Sequence, residues 1–334
     1  MTNRISGGRL RVVVTGANGF VGQKLVAAFA TAGHHVVAAS RRPVTVAPGV
    51  EWRKSPDLGC DADWKTVLRD ADVVVHAAAR VHVMNERERD PLAEFRRINV
   101  DGTIALARQA AQMGSARFLL ISTIKVHGET TTDRPFTPGD RVAPVDPYGL
   151  SKWEAECAVA RIGDQTGMET AAIRPVLVYG AGVGGNMAML ARLAARGWPV
   201  PLGAVRNRRS LVHVDNLADL VVRAATFHGP IPPVMLVCDD EAVSTAELVR
   251  RLARASGRRP RVPAVPLWIL SGAASLMGKR AWSDRLLQSL EADDRATRHA
   301  LGWSPPVTLS QGLGELAGLR GPGHEHGVPG SAGL

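Results

Sequence analysis

An apolar strand that runs straight into a glycine-spaced turn, with an apolar-faced helix behind it, leaves a chain few folds to choose from. Here residues 10–14 form a nearly continuous apolar run, followed directly by Thr15, Gly16, Ala17, Asn18, Gly19, Phe20, Val21 and Gly22. Glycine in such a turn permits a tight reversal, lets backbone approach a pyrophosphate and allows close packing of helix on strand. The N-terminus of the helix adds positive potential at the same point. Val21, Leu25, Val26 and Phe29 would share one helical face, and Gly33 marks the end. Gly16, Asn18, Gly19, Phe20, Val21 and Gly22 are therefore candidate dinucleotide-binding residues; a plain strand–helix connection is the bland alternative.

Further apolar runs at 36–39, 73–75, 118–121 and 170–173 alternate with helical patterns. That rhythm predicts an α/β fold, a Rossmann-type doubly wound parallel sheet. Residues 91–113 and 147–166 read as amphipathic helices, each preceded by an acid suited to cap it, Asp90 and Asp146. Beyond Pro175 the alternation breaks into glycine- and proline-rich stretches. The expected organisation is a nucleotide-binding domain over 9–175 with returning segments near 210–240. Residues 176–209 and 241–318 would form a smaller substrate-binding lobe, and 319–334 a disordered tail.

The formal net charge of +10 raises the question of nucleic acid. Arginine is scattered along the whole chain, however, without basic runs interleaved with aromatics, so no nucleic-acid partner is expected. Dispersed positive charge favours an anionic substrate such as a nucleotide diphosphate. Cys60, Cys157 and Cys238 are too far apart to form a disulfide framework or a metal cluster, so no metal is expected and a reducing cytoplasm suits the chain. The N-terminus lacks a signal-like apolar region, and the apolar stretch at 263–277 is too short and interrupted for membrane insertion.

The second apolar run ends in Ser40, Arg41 and Arg42, where an NAD-binding chain often offers an acid to the ribose hydroxyls. Arginine there can pair with the 2′-phosphate instead, so NADP(H) is favoured and NAD(H) remains the alternative; solvated surface is the bland reading. Tyr148 and Lys152, four positions apart, project from one helical face. An adjacent ammonium would bring a phenol that titrates near pH ~10 closer to working range, making Tyr148 a general acid or base. Ser122 and Thr123 end the run at 118–121, where parallel sheets bind ligands. Asn99 is a further polar candidate, read equally as a surface or capping residue.

Together these residues resemble the extended short-chain dehydrogenase/reductase superfamily, in its nucleotide-sugar epimerase, dehydratase and reductase group. The likeness runs from Leu10 to about Pro306 and includes Asp57-Leu58, His76 to Ala79, Asn99-Val100, Tyr148 with Lys152, Arg174-Pro175 and the stretch from Arg209 to Asp215. The resemblance implies a catalytic trio of Thr123, Tyr148 and Lys152, with Lys152 also holding the nicotinamide ribose. It implies cofactor contacts at Asp57 and Leu58 beside the adenine, at Ala77, Ala78 and Ala79, at Asn99 and Ile121, and at Pro175 and Val178 beside the nicotinamide. Arg80, His82, Lys125, Asn186, Arg209 and Arg285 would face a UDP-sugar substrate. A homodimer through the helices at 91–113 and 147–166 is also implied.

One departure narrows the chemistry. Where the group's dehydratases place an acid pair after the threonine, Thr123 is followed by Ile124 and Lys125, which argues against elimination of water. The segments 79–84 and 121–128 look most like a bacterial surface-polysaccharide subgroup whose members are often labelled UDP-glucose 4-epimerases, while some similar proteins reduce a UDP-4-keto-6-deoxy-hexosamine. Arg41 and Arg42 favour NADPH-dependent reduction; a 4-epimerase with retained NAD is the alternative, and a non-catalytic NADP-binding sensor or scaffold is a third reading.

Overall fold

The computed structural model describes residues 8–81, 90–276 and 286–318, so His82, Arg285 and the tail at 319–334 lie outside the described residues. The chain divides into two compact units. The first comprises the described residues up to Val178 together with Ser210–Asp240 and Ser289–Val307; the second comprises Tyr179–Arg209, Glu241–Gln288 and the described residues from Thr308. The stretch Ser289–Val307 thus groups with the nucleotide-binding unit, although its sequence suggested the smaller lobe.

In the first unit, strands β1 (Arg11–Thr15), β2 (His35–Ser40), β3 (Val50–Lys54), β4 (Val73–His76), β5 (Arg117–Ile121) and β6 (Glu169–Pro175) lie in one sheet with Val234–Val237. The seven strands run in the order β3-β2-β1-β4-β5-β6 and then Val234–Val237, and every pairing is parallel. Strand order reverses between β1 and β4, and the carboxyl ends of those strands open the crevice where such sheets bind ligands.

Alternating side chains of β1 feed two separate cores. Val12 and Val14 pack with Leu25 and Phe29 of α1 (Phe20–Thr31), whereas Val13 packs with Trp64, Leu106 and Val159. Both faces of the strand are therefore buried, which is why it reads as a continuous apolar run rather than an alternating one. The edge strand β3 carries Glu51, Arg53 and Lys54 and is only half-buried.

The helix expected over 91–113 is interrupted. It consists of α2 (Pro91–Arg96), a π-helical turn over Arg97–Asp101, and α3 (Gly102–Gln112). Gly102 restarts the α-helix against the 58–59 loop, where an added Cβ would stand 2.9 Å from Leu58 Cβ. The second expected helix is continuous as α4 (Pro147–Thr166). Asp146 accepts from the Gly149 N–H at 2.6 Å, Pro147 occupies the first turn, and Gly167 at φ 74° terminates it.

In the second unit, α5 (Gly185–Ala195) packs against Thr245–Ala255, whose N-terminus is capped by Ser244 Oγ accepting from the Glu247 N–H at 3.0 Å. Asn207 is buried there and donates from Nδ2 to the carbonyl oxygens of Leu286 at 3.0 Å and Gln288 at 2.9 Å. No helix among the described residues is long and apolar enough to cross a membrane.

Candidate functional site

A crevice of about 550 Å³ opens at the carboxyl ends of β1, β2 and β4. Of the residues the sequence proposed for a cofactor, Gly16, Asn18, Gly19, Ser40, Arg41, Asp57, Leu58, Ala77, Ala78 and Ala79 line it, joined by Arg80. Ser55, Pro56, Trp64, Arg97 and Ile98 also line it. The neighbours of Asp57 were within reach of sequence reasoning; nothing local marks Trp64.

The glycine loop packs tightly on the backbone around it. Gly16 has φ 68°, and a Cβ there would stand 2.7 Å from the Ala78 nitrogen. A Cβ on Gly22 would stand 2.0 Å from the Gly16 carbonyl oxygen, so the first turn of α1, with Phe20 and Val21, rests directly on the glycine loop. Gly19 caps α1 without a side-chain hydrogen bond, and the first turn contains no acid. A first turn without a side-chain cap and the positive end of the helix dipole suit a pyrophosphate. These features fit a dinucleotide.

Arg41 and Asp57 face each other at 3.6 Å across the rim of this crevice, 76% and 87% exposed. Ser40 is buried; its hydroxyl donates to the Arg42 carbonyl oxygen at 2.7 Å and accepts from Trp52 Nε1 at 3.0 Å, so it braces the turn that presents Arg41. Arg42 is not among the crevice-lining residues.

Behind the glycine loop a buried relay connects β1 to α4. Thr15 Oγ1 lies 2.7 Å from His76 Nδ1, His76 Nε2 lies 2.9 Å from Thr103 Oγ1, and Thr103 donates to the Asn99 carbonyl oxygen at 2.7 Å. Because the Thr103 proton is committed to Asn99, the tautomer with hydrogen on Nε2 satisfies every partner. The Asn99 amide accepts from the Arg80 N–H at 2.8 Å and donates to the Arg80 carbonyl oxygen at 3.0 Å and to Ser151 Oγ at 3.0 Å. Ser151 in turn donates to the Tyr148 carbonyl oxygen at 2.8 Å. Asn99 is therefore neither a surface nor a capping residue: buried, it braces the crevice wall at Arg80 and the helix of Tyr148.

Tyr148 is half-buried, its ring 6.1 Å from that of Phe95, over which the Arg80 guanidinium lies at 5.6 Å. Burial first, and the Asp146 carboxylate second, push its phenol well above the ordinary range. Desolvation of the phenolate and the Asp146 carboxylate thus set a direction opposite to the lowering expected from a neighbouring Lys152. Lys152 is 1% exposed, and burial lowers its ammonium to about 8 against the opposing influence of Glu156. Burial and the positive charge of Lys152 hold His76 at about 3, so the imidazole is neutral.

Thr123 follows β5 with its hydroxyl accepting from the Lys125 N–H at 3.3 Å. Lys125 is clasped by Asp146 and, at 2.5 Å, by Glu129. Ser122 is turned inward: its hydroxyl donates to buried Glu156, which also pairs with buried Arg174 at 2.5 Å. Arg174 donates to His127 Nε2 at 2.8 Å, and the imidazole stacks on Phe136 at 5.3 Å. Thus the Ser122 hydroxyl is committed inward and that of Thr123 is not, while Ile121 and Pro175 end neighbouring strands and Val178 lies in the short strand Leu177–Tyr179. Asn186, in the first turn of α5, and Arg209, donating to the Gln288 carbonyl oxygen at 3.0 Å, belong to the second unit.

Comparison with known proteins agrees with this architecture. Residues 12–238 match the model of the NAD dependent epimerase/dehydratase family. A UDP-glucose 4-epimerase of Vibrio cholerae is 41% identical over 309 residues, covering 92% of this chain and 94% of that protein. A dTDP-6-deoxy-L-talose 4-dehydrogenase (NAD(P)(+)) of Kitasatospora kifunensis is 27% identical, covering 92% of this chain and 94% of its own length. Among solved structures, MoeE5 in complex with UDP-glucose and NAD superposes with a TM-score of 0.75 at 27% identity, covering 93% of this chain and 98% of that one. A crevice that fits a dinucleotide, a helix bearing Tyr148 and Lys152 that is tied through Asn99 to its wall, and these relationships lead to one statement: the chain belongs to the NAD-dependent epimerase/dehydratase family, as an enzyme of the extended short-chain dehydrogenase/reductase type.

Proposed function

We propose that the enzyme uses NADPH to reduce a UDP-4-keto-6-deoxy-hexosamine at C4, in the cytoplasm, for surface-polysaccharide synthesis. The observation that carries the cofactor preference is Arg41 in the crevice wall, at the end of β2, where it can pair with an adenosine 2′-phosphate. Bound there, the dinucleotide supplies the hydride. Gly16, Gly19 and Gly22 with the α1 N-terminus hold its pyrophosphate, and Leu58, Ala77, Ala78 and Ala79 line its path. Tyr148 gives its proton to the keto oxygen, Thr123 orients that oxygen by a hydrogen bond, and Lys152 holds the ribose beside them. A phenol held in its protonated form suits the reductive direction, in which it acts as the acid. Thr123 followed by Ile124 and by an ion-paired Lys125 offers no acid–base pair for elimination of water. Asn186 and Arg209 are the substrate-diphosphate contacts in this reading, and two copies pair through α2, α3 and α4.

The second reading, a UDP-hexose 4-epimerase with retained NAD, is favoured by the 41% identity to the Vibrio cholerae protein and by Asp57, a carboxylate on the crevice rim able to accept from ribose hydroxyls. Incubation of the purified protein with a UDP-4-keto-6-deoxy-hexosamine and either NADPH or NADH, in parallel with UDP-glucose and no reductant, separates the two. NADPH oxidation that depends on the keto sugar supports reduction. Interconversion of UDP-glucose without added reductant overturns it.

A further inference from the structure

The second unit carries a surface that the proposed chemistry does not use. Leu267, Trp268 and Ile269 open α6 (Leu267–Leu276) with their side chains exposed, Trp268 to 76%, and Pro263, Ala264 and Pro266 just before them are exposed as well. This segment is braced from behind. The Val200 N–H donates to the Arg261 carbonyl oxygen at 2.9 Å, the Gly203 N–H to that of Pro263 at 2.9 Å, and Arg258 Nε to that of Ala195 at 3.3 Å. A side chain at Gly203 would collide with the Val262 carbonyl oxygen at 2.4 Å, so the two segments are in close contact. The same brace brings up Trp198, 58% exposed, with exposed Pro199 and Pro201. Two tryptophans and a first helical turn of leucine and isoleucine are thus held toward solvent by ordered backbone.

The two stretches that carry them hold charge of a single sign. Arg192, Arg196, Arg258, Arg259 and Arg261 are exposed, and neither 185–214 nor 248–276 contains an acidic residue. Tryptophan favours the boundary between headgroups and acyl chains, and a basic collar is drawn to anionic lipid. A bilayer accepts such a tip without a shape-matched partner. At ten residues α6 is about 15 Å long, half of a hydrocarbon core, so it can lie in the interface but not cross it.

We propose that this face docks the enzyme peripherally on an anionic lipid bilayer, through Trp198, Leu267, Trp268 and Ile269 with the surrounding arginines. The full-length protein should co-sediment with vesicles of phosphatidylcholine containing phosphatidylglycerol and be released by salt, but not co-sediment with phosphatidylcholine alone. Trp268→Ser should weaken vesicle binding about tenfold by removing its interfacial anchor. Replacing Arg258, Arg259 and Arg261 together by Gln should weaken it roughly a hundredfold, at about fivefold per charge. Dinucleotide titration and thermal melting verify that each variant is folded. Failure of the wild type to bind the anionic vesicles overturns the proposal. So does equal binding by wild type and Trp268→Ser, which would reduce the effect to general attraction for a basic protein. Concentration-dependent self-association that Trp268→Ser abolishes, with vesicles ignored, would assign the face to a second copy of the chain instead.

Discussion

The side-chain amide of Asn99 donates to Ser151 Oγ at 3.0 Å, joining a π-helical turn to the helix that carries Tyr148 and Lys152. Its carbonyl oxygen meanwhile holds the Arg80 N–H, so one buried side chain spans the crevice wall and α4.

Removal of that amide should therefore disturb both places. Asn99→Ala removes the two hydrogen bonds that the buried amide makes to the half-buried Arg80 backbone, a loss of about 1–3 kcal/mol. Urea denaturation should show a lowered midpoint with an unchanged slope, and turnover should fall more than dinucleotide affinity, because Ser151 loses the group that holds it to the turn.

Tyr148→Phe should keep dinucleotide binding and reduce kcat by about 10²–10⁴-fold, the usual contribution of a positioned proton donor. Fluorescence titration with the cofactor and steady-state rates measure the two separately. Unchanged turnover would exclude the phenol from the chemistry.

Gly22→Ala should abolish tight dinucleotide binding. The new methyl would stand 2.0 Å from the Gly16 carbonyl oxygen, forcing α1 off the loop it rests on. Gly139→Ala, where nothing lies within 4 Å of the added atom, serves as the control and should titrate like the wild type.

His76 gives the protein an acid-sensitive core. Burial and Lys152 hold the folded-state imidazole at about 3, below its ordinary 6.5. Between those values the unfolded chain binds a proton that the folded chain does not, so stability falls as pH drops from 6.5 toward 3 and is untouched by this group above that window. The loss from this group approaches about 1.4 kcal/mol per pH unit. Denaturation midpoints measured across that range should show a shallower decline for His76→Gln than for the wild type.

Much of this was legible from residue order. β1 and the glycine turn stand out because a strand buried on both faces is apolar without interruption and because the turn tolerates no Cβ at Gly16 or Gly22. Tyr148 and Lys152 were visible as one face of a helix with an acid cap and a proline start. β3 was not visible, since an edge strand bearing Glu51, Arg53 and Lys54 lacks a continuous apolar run. Nor was the inward turn of Ser122: its partner Glu156, and the Arg174 that pairs with that carboxylate, are charged, and a periodicity reading assigns such residues to solvent. The return of Ser289–Val307 to the first unit is a matter of chain path, which local pattern does not encode. The phenol's elevated range escaped because spacing conveys that Lys152 shares a helical face with Tyr148 but not the desolvation that raises the phenol.

The turn over Arg97–Asp101 has a consequence for chain length. A π-turn accommodates one more residue than an α-turn, so α2 and α3 are out of phase and their inward faces cannot be superposed by continuing one into the other. Deleting a single residue there would restore an unbroken helix with α2 and α3 still in place, but would remove the widened turn from which Asn99 reaches Arg80 and Ser151. A relative with a shorter turn must therefore brace its tyrosine helix by some other means, and the spacing between Phe95 and Thr103 tells as much about that brace as the identity of the asparagine between them.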